Sequence, residues 1–120
     1  MQGEKYDSDK LRYDLFDDTA EAELAAVLTY GSIKYTPQGW RYVDSPKSRY
    51  YAALQRHLAA WRQGQVLDSE SSLHHLAHAA ACLHFLLAGA LGSGELAPLS
   101  ERLSKALVQA RAEHGCREKT

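Results

Sequence analysis

Residues 71–94, SSLHHLAHAAACLHFLLAGALGSG, contain no Asp, Glu, Lys or Arg, and no other feature constrains the fold of this chain as much. A stretch this poor in charge must spend most of its length in apolar surroundings. A membrane span is excluded because four histidines interrupt the block and its unbroken apolar run is too short to cross a bilayer. The block therefore reads as a core helix from about Ser71 or Ser72 to Leu91, ended by Gly92 and Gly94. Leu73, Leu76, Ala80, Leu83, Leu87 and Leu91 then cover one side, while His74, His75, His78 and Cys82 form an arc on the other.

The remaining charge is segregated. Residues 1–23 hold eight carboxylates, and residues 24–63 hold six Lys/Arg against Asp44 alone. Helical periodicity dominates both stretches. A first helix is expected from about Asp18 to Tyr35, with Asp17 or Asp18 as N-cap and Ala20, Leu24, Val27, Leu28, Gly31 and Tyr35 on one face. Pro37, Gly39 and Pro46 then mark a loop rich in aromatic and basic residues. A second helix follows from about Lys47 to Gln63, with Tyr50, Leu54, His57, Leu58 and Trp61 in its stripe and Gly64 as its stop. An amphipathic C-terminal helix over about 98–114 has Ser100 as a possible cap and Gly115 as its stop. The fold class is all-α, a small helical bundle. With 120 residues it is expected to be one domain, its core over about 5–91.

Lys plus Arg number 14 against 15 Asp plus Glu, which argues against a partner bound by phosphate neutralisation, as nucleic acid is. Two cysteines, Cys82 and Cys116, cannot build a disulfide framework, and the start MQGEKYDSDK is polar. Both observations predict a cytoplasmic protein without a secretory leader, touching neither membrane nor nucleic acid.

Three groups of residues can carry chemistry. His75 and His78 lie one turn apart on the uncharged helix, with Asp68 and Glu70 at its entrance, where carboxylates suit a hard cation such as Mg²⁺ or Mn²⁺. Taken singly, Asp68 and Glu70 also fit capping groups, His75, His78 and His57 of the second helix also fit hydrogen-bonded core histidines, and Glu23 beside the stripe of the first helix also fits a surface salt bridge. Lys10, Arg12, Lys34, Arg41, Lys47, Arg49 and Arg56 accompany a loop bearing Tyr35, Trp40 and Tyr42, offering phosphate donors and flat stacking surfaces. Neither a GxxxxGK loop nor a GxGxxG fingerprint is present, and no adjacent His-Asp pair marks an HD-type phosphohydrolase.

Together, KYDSDKLRYDL, LTYGSIKYTPQGW and RHLAAWRQGQVLDSESSLHHLAHAAACLHFLL resemble the phage dATP/dGTP diphosphohydrolase family, MazZ-like relatives of the MazG-like all-α nucleotide pyrophosphohydrolases. The resemblance covers roughly residues 5–90. Lys5, Asp7, Lys10 and Arg12 meet a K-x-D-x-x-K-x-R opening, and Tyr30, Gly31, Lys34 and Tyr35 meet YG-x-x-KY, followed by the aromatic Trp40. Arg56, His57 and Trp61 meet RH-x-x-x-W, and Asp68, Glu70, Ser71, His75 and His78 meet D-x-E-S-x-x-x-HLAHA. Asp9 and Ser72 stand where glycines are expected, and neither the E-x-x-E nor the E-x-x-D pair of the MazG-like enzymes is intact.

The resemblance implies an oligomeric bundle, dimer or tetramer, with sites completed between protomers. It implies hydrolysis of dGTP or dATP between the α- and β-phosphates to a monophosphate and pyrophosphate, a reaction that in a phage would supply dGMP for 2-aminoadenine synthesis. Two or three Mg²⁺ or Mn²⁺ ions would be held by Glu23, Asp68, Glu70, His75 and His78, with Glu23, Asp68, Glu70 and His75 catalytic. Lys10, Arg12, Lys34, Tyr35, Trp40, Arg56 and His57 would bind substrate. Two rivals remain: a non-catalytic nucleotide-binding or interaction module, and a zinc protein using His74, His78, Cys82 and Cys116.

Overall fold

The computed structural model describes residues 10–34, 39, 45–92 and 94–115, and its contacts gather into two units, residues 14–93 and residues 1–13 with 94–120. Among the described residues there are four α-helices, one 3₁₀ turn at Tyr13–Leu15 and no strand beyond a single isolated bridge. None of these helices is long and apolar enough to cross a membrane.

In the first unit, α1 runs from Asp18 to Lys34, and its expected last residue, Tyr35, lies outside the described residues. Asp17 is the cap: its Oδ2 accepts from the Ala20 N–H at 2.9 Å, satisfying a donor the first turn leaves open. Helix α2 spans Pro46–Arg62, within a residue of expectation at either end. Proline suits its first position because the N–H it lacks has no intrahelical acceptor there. Past the Gln63 cap, Gly64 has a φ of 95°, a left-handed turn that glycine takes at no steric cost. Helix α3 covers His75–Leu91.

Helix α3 is the centre of this unit. On one flank Val27 of α1 packs with Ala77 and Ala81, extended by Leu24, Leu28, Leu73 and Phe85. On the other, Leu54 of α2 packs with Ala79 and Cys82, extended by Tyr50, Ala53 and Leu86. The alanines let the neighbouring helices approach closely, and the larger residues of α1 and α2 fill the space they leave. Both pairings bring the C-terminal part of a flanking helix against the N-terminal turns of α3, since Tyr30 meets His78 and His57 meets His75.

The structure corrects two of these expectations and decides a third point. First, α3 begins at His75 rather than Ser71 or Ser72, because residues 67–74 fold back on themselves. Leu67 bridges His74, Asp68 N–H donates to Leu73 C=O at 2.8 Å, and His75 N–H donates to Val66 C=O at 2.9 Å. Ser72 takes a φ of 64° within that turn, the backbone state that explains why a glycine is expected there. Second, the sequence leaves open which of the two faces of α3 is the core, and it is not the leucine side: Leu73 packs inward, but Leu76, Leu83, Leu87 and Leu91 are 37%, 54%, 59% and 47% exposed, while His75, Ala77, Ala79, Ala81 and Cys82 are buried. Third, Ser100 caps nothing. Helix α4, Leu99–His114 in the second unit, has Pro98 at its N-cap and Gly115 at its C-cap, and Leu103 and Leu107 are its partly buried residues.

Candidate functional site

The folded-back segment 67–74 exists to aim side chains. Asp68 Oδ2 accepts from Ser71 N–H at 2.9 Å, from Ser71 Oγ at 3.0 Å and from Glu70 N–H at 3.2 Å, a local closure typical of aspartate in turns. These bonds leave Asp68 Oδ1 out of the turn. Asp68 is thus a turn-former ahead of α3 rather than a group at its N-terminus; His74 is the cap, its Nδ1 accepting from Leu76 N–H at 3.0 Å.

Three imidazoles gather beside that carboxylate. His57 Nδ1 lies 2.9 Å from His75 Nδ1, so one ring donates and the other accepts. The His57 and His78 rings stack at 4.6 Å, only 8° from parallel. His78 Nε2 pairs with Ser71 Oγ at 2.8 Å and stands 3.9 Å from Asp68 Oδ2, and the edge of Tyr30 meets its ring. One ligand atom from each of His57, Asp68 and His75 lies within 4.8 Å of the others, the one such convergence among the described residues. At the rim, Lys34 Nζ donates to both oxygens of Glu70 at 3.0 Å and stands 5.8 Å over the Tyr30 ring.

Burial and crowding set the charge states. Burial holds the His57 pKa below 6.5, helped by the neighbouring His78 and His75, with Asp68 opposing. Burial also lowers His78, more than Asp68 and Glu70 raise it. For Asp68, burial is the largest single influence and favours the neutral acid, but Ser71's N–H and hydroxyl, His78 and the Glu70 N–H together outweigh it and hold the carboxyl below 3.8. Near neutrality the cluster therefore presents uncharged rings of His57 and His78 with usable lone pairs beside an ionised aspartate.

All three shifts have the same consequence for stability. A histidine whose folded pKa is depressed binds fewer protons folded than unfolded, so stability is lost as pH falls below 6.5 until the folded pKa is passed. Asp68 contributes stability that is full above 3.8 and lost as pH falls through its lower folded value. The melting temperature of chelator-treated protein is therefore expected to fall between about pH 7.5 and about pH 5, with a shallower slope in His57→Gln. A flat or rising profile contradicts the assigned charge states.

The sequence-derived site residues divide. Asp68, His75 and His78 meet in the cluster, and Lys34 and Glu70 meet at its rim. His57, read as a substrate binder, is at the centre instead. Glu23 is exposed on α1, two helical turns before Tyr30 or about 10 Å along the axis, and is outside the convergent group. Arg56 is exposed on α2. Lys10 and Arg12 belong to the other unit, and Lys5, Asp7, Tyr35, Trp40, Arg41, Tyr42 and Cys116 lie outside the described residues. The zinc set is not assembled: His74 is occupied as a cap, and Cys82 is buried against Leu54, where burial raises its thiol above the usual range. Sequence reasoning gave no role to Ser71 or Tyr30: Tyr30 meets His78 only across helices, and Ser71 reaches Asp68 and His78 only because the segment before α3 folds back.

The family described as dATP/dGTP diphosphohydrolase, N-terminal, matches residues 1–96. A dATP/dGTP diphosphohydrolase of Salmonella phage PMBT28 is 35% identical over 86 residues, which cover 72% of this chain and 29% of that protein. The chain thus spans less than a third of the length of this curated relative. No solved structure matches it.

Proposed function

Because the chain belongs to the family of dATP/dGTP diphosphohydrolase N-terminal sequences, we propose that it hydrolyses purine deoxynucleoside triphosphates between the α- and β-phosphates with the help of Mg²⁺ or Mn²⁺. The observation that carries this reading is the convergence of His57, Asp68 and His75 within 4.8 Å, beside a lysine and a carboxylate that hold each other at the rim. Nitrogen and carboxylate donors of this kind fit a divalent ion. Asp68 and His75 would hold it, with Glu70, His78 and Glu23 as the groups available to two or three ions in all. Such an ion, when bound, polarises phosphate oxygens and makes a water more acidic.

The chain's own groups supply the rest. Lys34, parted from Glu70, and Arg56 neutralise the leaving pyrophosphate. His78, neutral and held at Nε2 by Ser71, is placed to take a proton from the attacking water. The purine preference comes from the relative's name, and a role in supplying dGMP for 2-aminoadenine synthesis in a phage-infected cell's cytoplasm follows if dGTP is preferred. We read the assembly as a MazG-like bundle that pairs with copies of itself, because the leucine ridge of α3 is exposed.

Purified protein incubated with each of the four dNTPs and Mn²⁺ is expected to release dGMP or dAMP with pyrophosphate; dGDP or dADP with orthophosphate overturns the cleavage position. A second reading, a nucleotide-binding module without turnover, is favoured by the exposure of Glu23 and the engagement of Glu70 by Lys34. Saturable dGTP binding with no product under any divalent ion decides for it.

A further inference from the structure

We propose that His57 and His75 are the imidazole half of a single-ion site for a first-row transition-metal dication, Zn²⁺, Co²⁺ or Mn²⁺, with Asp68 as its third protein ligand, and that this site discriminates against Mg²⁺. The inference deepens the functional reading above, narrowing the ion at this one position from Mg²⁺ or Mn²⁺ to a transition-metal dication, and depends on that reading only for what the ion is used for.

The donor set is the first argument. Two imidazole nitrogens and one carboxylate oxygen suit first-row transition ions, whereas Mg²⁺ takes oxygen ligands and keeps several waters. Spacing is the second. Metal–nitrogen distances of about 2.1 Å place two neighbouring ligand atoms about 2.9 Å apart in octahedral and about 3.4 Å apart in tetrahedral geometry. His57 Nδ1 and His75 Nδ1 are already 2.9 Å apart, so they need little movement to share an ion. Without an ion this close approach holds only while one ring donates its single Nδ1 proton to the other, a pairing the ion replaces.

The surrounding groups act as supports, which is the third argument. His78 lies flat against His57 at 8°, so its in-plane nitrogens run parallel to those of His57 rather than toward the same point. Its Nε2 is held by Ser71 Oγ, and Ser71 in turn fixes Asp68 through Oδ2. Outer partners that fix ring orientation and carboxylate direction are what a metal centre requires besides its ligands. His75 is buried, so the ion would sit partly out of water, where exchange for strongly hydrated Mg²⁺ is penalised.

Full-length protein freed of metal by chelation and dialysis, titrated with Co²⁺, tests this without nucleotide. One Co²⁺ per chain is expected, with ligand-field absorption, displacement by Zn²⁺ and no displacement by a large excess of Mg²⁺. Mn²⁺ bound instead should show ¹⁴N couplings from coordinated imidazole in pulsed electron paramagnetic resonance. Because His75→Gln changes a buried residue, His57→Gln carries the test: it should weaken Co²⁺ binding about tenfold or more with an unchanged circular dichroism spectrum. His84→Gln, on exposed α3 surface, should leave binding intact. No binding, equal competition by Mg²⁺, or a His57→Gln titration identical to wild type overturns the proposal. Tight Co²⁺ binding with no dNTP hydrolysis removes the nucleotide reading and leaves this site standing. Hydrolysis supported by Mg²⁺ with no histidine-dependent binding does the reverse.

Discussion

Asp68→Asn is expected to lower kcat/KM for dNTP hydrolysis at least about 100-fold while leaving the fold intact, and Asp68→Ala to lose both activity and stability. The two substitutions separate the two tasks of one side chain. In the turn, Oδ2 accepts from Ser71 N–H, Ser71 Oγ and Glu70 N–H, and an amide oxygen of the same shape can go on accepting there. Alanine cannot, and removing a charged acceptor from such bonds costs about 1.5–3 kcal/mol. What asparagine lacks is the negative charge facing His57 and His75 and the affinity for a cation that comes with it. Steady-state kinetics and thermal melts of the three proteins check the separation. Asp68→Asn with more than half of wild-type activity sinks the assignment of Asp68 to the reacting centre, whatever its melting temperature.

The same turn explains where sequence reasoning succeeds and where it stops. Helices α1 and α2 are legible to within a residue because local rules fix their ends: Asp17 caps one, Pro46 starts the other and Gly64 follows its stop. The start of α3 is not legible in the same way. Serines and carboxylates in DSESS look like helix caps, but Asp68 uses its oxygen to close a turn, Ser72 goes left-handed, and the bridge from Leu67 to His74 delays the helix until His75. Asp68, His75 and His78 are visible as candidates because they share one short stretch. His57 is eighteen residues from His75, and its place at the centre depends on how Leu54 seats α2 against Ala79 and Cys82, a packing result that spacing within one helix does not encode.

The buried face of α3 is not legible in its periodicity. Periodicity separates a leucine side from a histidine and alanine side, and hydrophobicity alone assigns the leucines to the core. Packing chooses the small side, because alanines at 77, 79 and 81 allow two helices to close on α3, burying His75 and half-burying His57 and His78 beside it. That choice leaves the larger residues outside and raises the question of what covers them.

A second copy of the chain is the occupant we expect, and Leu83→Lys combined with Leu87→Lys is expected to convert the oligomer to a 13.3 kDa monomer. Leu76, Ala80, Leu83 and Leu87 follow each other at steps of four, three and four, the spacing of a coiled-coil seam, and the uncharged block 71–94 places no like charges opposite each other when two such ridges meet. Full burial of a leucine is worth about 1.5–3 kcal/mol, and these ridge leucines are roughly half buried already, so each gains about 1 kcal/mol more on pairing. The three per protomer, Leu76, Leu83 and Leu87, give about 6 kcal/mol per dimer, within the 4–15 kcal/mol that association costs. The balance is therefore narrow, and two lysines facing two more across a desolvated seam should raise the dissociation constant by at least about 100-fold. Because both positions are more than half exposed within one chain, the substitutions should leave helicity and Co²⁺ binding unchanged. Light scattering on the eluting protein gives the mass directly. A wild-type mass of 13.3 kDa at every concentration up to about 1 mM, where a net pairing free energy of only about −4 kcal/mol already populates the dimer, sinks the self-pairing reading.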